Sequence, residues 1–145
     1  MELTPKQKGN LTELQCLTAF IQQGCTVSIP YGDCARYDFL VDVDGIIIKV
    51  QCKTSHMSNT QDGIVFSCRS TEPASLSGTK NRRYSKEQID YFCTYWYNQC
   101  YLIPVEECSV EKKLRFIPPK NGQKVGISFA EDYKLEIQLD KIKQE

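Results

Sequence analysis

The sequence predicts a mixed α/β domain, a central β-sheet flanked by helices. Three observations predict it. An N-terminal stretch has helix start and stop signals around a helix-spaced apolar pattern. A two-residue Asp44-Gly45 turn joins two β-branched runs. Helical and strand-like stretches then follow in the order helix, strands, helix, strands. The 145 residues suffice for one core and are too few for two comfortable ones, so a single domain over residues 1–145 is expected.

Residues 5–23 read as the first helix, with Thr4 as cap, Pro5 in the first turn and Gly24 as stop. Leu11, Leu14, Leu17, Phe20 and Ile21 recur at helical spacing, which predicts a buried stripe. Glu13 falls within or beside that stripe, where a carboxylate needs a partner. Gly9, four residues earlier, suits a close approach to another backbone. CTVSIP (25–30) reads as a strand and YGDCA (31–35) as a loop. Residues 36–55 are the hairpin around Asp44-Gly45. IVFSCRS (64–70) reads as a strand, residues 71–83 as a long polar loop, and SKEQIDYF (85–92) as a short helix opened by Ser85. TYWYNQCYLIPV (94–105) reads as strands folded near Asn98-Gln99. LRFIPP (114–119), VGISF (125–129) and KLEIQL (134–139) read as strands of a peripheral tail. A core over about residues 5–105 and a strand-rich tail over about 106–145 are therefore expected.

Lys+Arg equals Asp+Glu, so no global field draws the chain to a polyanion or a membrane; only a local patch can. MELTPKQKGN lacks an apolar signal core, and no run approaches the roughly 20 apolar residues of a membrane span. A cytoplasmic protein without a membrane partner is expected. The eight cysteines form no C-x-x-C pair, and His56, the sole histidine, cannot complete the usual Cys/His zinc sets. They are expected as reduced thiols acting as small apolar side chains.

The hairpin concentrates chemistry. With Asp44-Gly45 as the turn, Val43 faces Ile46, Val41 faces Ile48, Phe39 faces Val50 and Tyr37 faces Cys52, all on one apolar face. On the other face Asp38 opposes Gln51, and Arg36 opposes Lys53. A one-residue slip would bury Asp38, so the register is well specified. The like-charged Arg36 and Lys53 require the strands to splay or an anion to lie between them. A solvated sheet face accounts for any one of these residues. Jointly, a carboxylate and an amide oxygen can share a hard divalent cation. Glu13 can add a further oxygen, and Lys53 can hold a phosphate oxygen or lower the pKa of an attacking water. These are the parts of metal-assisted phosphodiester hydrolysis.

Gly9-x-x-x-Glu13, Asp38 after Tyr37, and Gln51-Cys52-Lys53 after a hairpin resemble the PD-(D/E)XK nuclease superfamily. The residues PKQKGNLTELQCLTAFIQQGCTVSIPYGDCARYDF look especially like its compact group I intron-encoded homing endonucleases, some of which use Q-x-K. The resemblance covers roughly residues 5–105. It implies a restriction-endonuclease-like core and a Mg²⁺- or Mn²⁺-dependent DNA endonuclease leaving 5′-phosphate and 3′-hydroxyl ends. It also implies that Asp38, Gln51 and the Cys52 backbone carbonyl hold the metal, with Glu13 as the helix-borne acid and Lys53 as the catalytic lysine. Tyr37 stands where the family has a nominal proline. Gln51 replaces the second acid and removes a formal charge from the site.

Lys80, Arg82, Arg83 and Lys86 gather four positive charges around Tyr84. They read either as a solvated loop or as a phosphate-contacting patch on double-stranded DNA. Arg69 and residues 55–61 are further candidates for groove contact. So short a chain acting at a rare site is expected to work as a homo-oligomer, dimer or tetramer. Tyr91, Phe92, Tyr95, Trp96 and Tyr97 serve either that contact or the core. A structure-selective nuclease (a Holliday-junction resolvase or repair enzyme) and a catalytically silent DNA-binding module are the alternative functions.

Overall fold

In the computed structural model of the chain, residues 1–32, 34–74, 78–83 and 87–145 are described, with 70–74 and 78–83 as backbone only. Helix α1, Pro5–Gln22, opens with a capping box. The Thr4 hydroxyl accepts from the Gln7 amide at 3.2 Å, and the Gln7 side chain accepts from the Thr4 amide at 2.9 Å. Among the described residues ten strands follow: β1 Thr26–Ser28, β2 Phe39–Val43, β3 Ile46–Cys52, β4 His56–Met57, β5 Gly63–Ser67, β6 Arg69–Ala74, β7 Gly78–Arg83, β8 Tyr91–Trp96, β9 Gln99–Pro104 and β10 Glu111–Arg115. The chain closes with helix α2, Leu135–Lys143. No helix among the described residues is long and apolar enough to cross a membrane.

The main sheet has the order β1-β2-β3-β8-β9. It is mixed, since β3 and β8 run parallel while its other neighbours are antiparallel. Alternation along each strand feeds two cores. Phe39, Val41, Val43, Ile48, Val50, Cys93, Cys100 and Leu102 meet Cys16 and Phe20 of α1 and Leu135, Leu139 and Ile142 of α2. The opposite face gives Phe92, Tyr101 and Ile103 to a second core with Ile64, Phe66 and Leu114 of the smaller sheet β10-β5-β4. Both helices therefore cover one face of the main sheet, and a second sheet covers the other. β6 and β7 form a separate two-stranded ribbon.

The Asp44-Gly45 turn and its pairing are as the sequence predicts: Val43↔Ile46, Val41↔Ile48 and Phe39↔Val50. The turn residues have the left-handed φ of 51° and 92° that a primed hairpin turn requires. The ladder stops at Phe39, and Tyr37 does not join its apolar face. It packs against the second core instead.

Seven other expectations are corrected. The buried stripe of α1 is Thr12, Cys16 and Phe20, while Leu11, Leu14 and Ile21 are exposed. This helix is apolar on two sides, and leucine content alone selects the wrong one. Gly9 meets no close backbone, for a Cβ there would touch nothing within 4 Å. Residues 71–83 are not a loop: β6 and β7 occupy all but the undescribed 75–77, pairing Arg69↔Arg83 through Ala74↔Gly78. The expected helix at 85–92 is absent from 87 onward, where a turn leads into β8; Ser85 and Lys86 lie outside the described residues. KLEIQL is helical: its short alternation mimics a strand, but Leu135, Leu139 and Ile142 recur at helical spacing and are buried. VGISF contributes a single bridge, Phe129 to Arg115, and the β8–β9 turn falls on Tyr97-Asn98, one residue before the expected place.

Gly63 tests the packing of the smaller sheet. A Cβ there would collide with the backbone carbonyl of Leu114. Gly63→Ala is expected to lower stability by about 1–3 kcal/mol in urea denaturation. An unchanged midpoint would show that β5 and β10 are not this close.

Candidate active site

The end of the β2–β3 ladder builds the site. Beyond Phe39 the Asp38 amide donates to the Val50 carbonyl at 2.8 Å, one residue off the hairpin register, so the strand bends there. The bend turns the Asp38 carboxylate onto β3, where Oδ2 accepts from the Cys52 amide at 2.7 Å. The departing chain cannot then supply the usual ladder partner, and a side-chain oxygen satisfies that amide. Phe39, next to Asp38, is fully buried and meets Phe20 of α1 edge-on at 5.8 Å. This contact fixes α1 over the site.

Helix α1 brings Glu13 in. Its neighbour Thr12 is buried, and the Thr12 and Thr54 hydroxyls lie 3.3 Å apart, joining the helix to the segment after β3. The ammonium of Lys53 donates to the Arg69 carbonyl at 2.7 Å, while its amide donates to the Cys93 carbonyl at 2.8 Å. Glu13, Asp38, Gln51, Cys52 and Lys53 are all half-buried.

Each ionisable group feels this burial. Desolvation pushes the Asp38 carboxyl above its ordinary value, against the Cys52 N–H and the Lys53 charge. Glu13 is raised too, first by burial and then by the Asp38 carboxylate. Burial lowers Lys53; the Cys68 thiol and Asp38 oppose that shift, and Arg36 adds to it. The hairpin ladder ends at Phe39, so the Arg36–Lys53 opposition that the sequence register predicts is not part of it. The arrangement brings Glu13, Asp38 and Lys53 into one electrostatic neighbourhood. Gln51 sits on β3 opposite Phe92 in register and beside Cys52.

The candidate DNA contacts lie in the ribbon. The Arg69 side chain is exposed, and Arg69 starts β6, so its carbonyl bond to Lys53 ties the ribbon to the site. Arg83 is opposite Arg69 in the β6–β7 register, Arg82 opposite Ser70 and Lys80 opposite Glu72. Lys86 lies outside the described residues. Ser55 and Ser58 are buried rather than available for groove contact. The aromatic run is divided: Phe92 is buried, Tyr91 and Tyr95 pack on the first core, Trp96 packs on the second, and Tyr97 is 83% exposed. Sequence reasoning missed the Thr12–Thr54 link and the Arg69 carbonyl, for neither contact has a local signature.

A family model described as PD-(D/E)XK endonuclease matches residues 3–136. The chain belongs to the PD-(D/E)XK endonuclease family. Among solved structures it is similar to a bacterial homing endonuclease, I-Ssp6803I, at 24% identity and a TM-score of 0.73, covering 99% of each chain. That likeness shows the restriction-endonuclease-like fold of this PD-(D/E)XK chain. No curated protein matches it.

Stability reports on the acid. A carboxyl raised in the folded state costs stability once ionised. The cost is absent below the unfolded pKa and complete above the folded one. Metal-free Asp38→Asn is therefore expected to melt above the wild type at neutral pH, with the gap closing as pH falls through the ordinary carboxylate range. A lower melting temperature at neutral pH would mean that the charge stabilises the fold.

Proposed function

We propose that this PD-(D/E)XK endonuclease is a divalent-metal-dependent, site-specific double-strand DNA endonuclease of homing type. The observation that carries the reading is the Asp38 carboxylate, bonded to the amide of Cys52 within the Gln51-Cys52-Lys53 stretch and coupled to Glu13 and Lys53. The donors fit a hard cation. Asp38, Gln51, Glu13 and the Cys52 carbonyl all offer oxygen, the ligand type Mg²⁺ and Mn²⁺ take. Both carboxyls are raised by burial, and Glu13 also by the Asp38 carboxylate, so both gain from a positive charge between them. When bound, the cation supplies Lewis-acid activation of water and of a phosphoryl oxygen.

The chain's own residues do the rest. The Cys52 amide orients the Asp38 carboxylate. Gln51 contributes a neutral oxygen, which leaves the site one negative charge short of the usual acid pair. Lys53 holds a non-bridging phosphate oxygen as negative charge develops on it. Its ammonium has three donors, so it can do this while keeping its bond to the Arg69 carbonyl. Hydrolysis in line with the departing 3′ oxygen leaves 5′-phosphate and 3′-hydroxyl ends.

The ribbon that starts at Arg69 would carry Lys80, Arg82 and Arg83 along the DNA backbone, with Lys86 beyond it. The exposed Leu11, Leu14 and Ile21 on the outer side of α1 support a homo-oligomer in which each subunit reads a half-site.

Asp38→Ala and Lys53→Ala are each expected to keep the fold and cut cleavage of plasmid DNA in Mg²⁺ at least about a hundredfold. Full activity in both variants would refute the site. Mapping wild-type cuts on a randomised duplex library is expected to yield one long pseudo-palindromic sequence. Cutting confined to four-way junctions would instead indicate a structure-selective nuclease, and no cutting a silent binding module. Reversing the charges of Arg82 and Arg83 is expected to weaken DNA binding across all sequences and flatten its salt dependence. An unchanged slope would remove the ribbon from the interface.

A further inference from the structure

Four cysteines scattered through the sequence converge in the first core. Cys52 and Cys93 are opposite one another in the parallel β3–β8 register. Cys100 pairs with Tyr95, two residues from Cys93, and so lies diagonally from Cys93 on the same sheet face. Helix α1 lowers Cys16 onto that face. The sulfurs of Cys16, Cys52 and Cys93 lie within 4.8 Å of one another, and those of Cys93 and Cys100 are 3.2 Å apart. Cys100 belongs to the same buried core cluster as Cys16. Cys16, Cys93 and Cys100 are buried, whereas Cys52 is half-buried and gives the cluster an edge toward solvent.

We propose that Cys16, Cys52, Cys93 and Cys100 form a tetrahedral thiolate site for one soft or borderline dipositive ion, zinc by preference. The size fits. With metal–sulfur bonds of about 2.3 Å, a regular tetrahedron places its sulfurs about 3.8 Å apart. The Cys93–Cys100 separation is a little shorter than that, and the Cys16, Cys52 and Cys93 sulfurs stand within 4.8 Å of one another. These separations are too short for a multi-iron cluster, whose cysteines stand further apart. Closing the site requires that Cys100 draw toward Cys16 and Cys52 and that the 3.2 Å Cys93–Cys100 pair open slightly. The four thiols release four protons to solvent as four metal–sulfur bonds form, leaving a site of net charge −2. Thiolates select this class of ion and reject Mg²⁺, so the site is chemically separate from the carboxylates.

The sequence rule that argues against zinc looks for paired ligands in a local knuckle. Here each ligand comes from a different element, α1, β3, β8 or β9. The ion would pin these elements together behind the active site. Cys52 lies between Gln51 and Lys53 and donates its amide to Asp38, and Cys16 follows Glu13 by about one helical turn. Such an ion is structural and takes no part in hydrolysis.

The test is anaerobic metal analysis and cobalt(II) titration of the full chain. The expected result is one ion per chain, with intense visible bands and sulfur-to-cobalt charge transfer, displaced by zinc, and a melting temperature that falls on chelation. Cys93→Ser and Cys100→Ser should each lose the tetrathiolate spectrum, while Cys68→Ser and Cys108→Ser should keep it. Wild-type spectra decide even if a variant misfolds. A folded wild type without charge-transfer bands, bands that survive Cys93→Ser, or a Cys93–Cys100 disulfide formed in place of metal binding would each overturn the proposal.

Discussion

The hydrogen bond from the Cys52 amide to the Asp38 carboxylate is the constraint on which the site depends. It can form only because the hairpin ladder ends at Phe39 and the preceding chain bends across the end of β3. Regular pairing through Tyr37 would have placed Asp38 beside Gln51 on a flat, wettable face. The bend instead draws the carboxylate into a half-buried position near Glu13 and Lys53, where burial disfavours every charge. Such a site costs the metal-free fold stability, a common price for a functional constellation.

Two cores make that position rigid. Phe20 and Phe39 join α1 to β2 on one face of the main sheet, and on the other Phe92 packs at 5.9 Å against Phe66. β3 and β8 lie between, so the strand carrying Gln51 and Lys53 is held by neighbours and covered on both faces. The smaller sheet has its own anchor. Asp62 bonds Lys113 at 2.8 Å and Arg115 at 2.9 Å, and these cations with the Thr60 hydroxyl hold its carboxyl well below the ordinary range. The ribbon β6–β7 springs from this well-packed body at Arg69, the residue whose carbonyl receives Lys53.

What was legible in the sequence was local. Asp44-Gly45 fixed the turn, the turn fixed the register from Phe39 to Val50, and the register placed Asp38 at the end of β3. The first helix was legible from Thr4, Pro5 and Gly24, but not its buried face. Leu11, Leu14 and Ile21 are as apolar as the residues facing the core, and only the sheet decides which side is covered. KLEIQL shows the opposite failure, for six residues are too few to separate a period of two from one of 3.6. The thiol cluster was illegible because proximity among α1, β3, β8 and β9 is a property of the tertiary fold. The bend at Asp38 had one sequence signal, the opposition of Arg36 and Lys53, which an unbroken ladder would have forced together.

One strand would then serve two chemically different sites, with the hard oxygens around Asp38 and the soft sulfur of Cys52. The oxygen site is the central claim, and carboxyl-carbon NMR titration of Asp38 and Glu13 tests it most directly. Without metal both should titrate above ordinary carboxylates, and saturating Mg²⁺ should bring both below them. Two ordinary titrations that do not respond to Mg²⁺ would contradict the account.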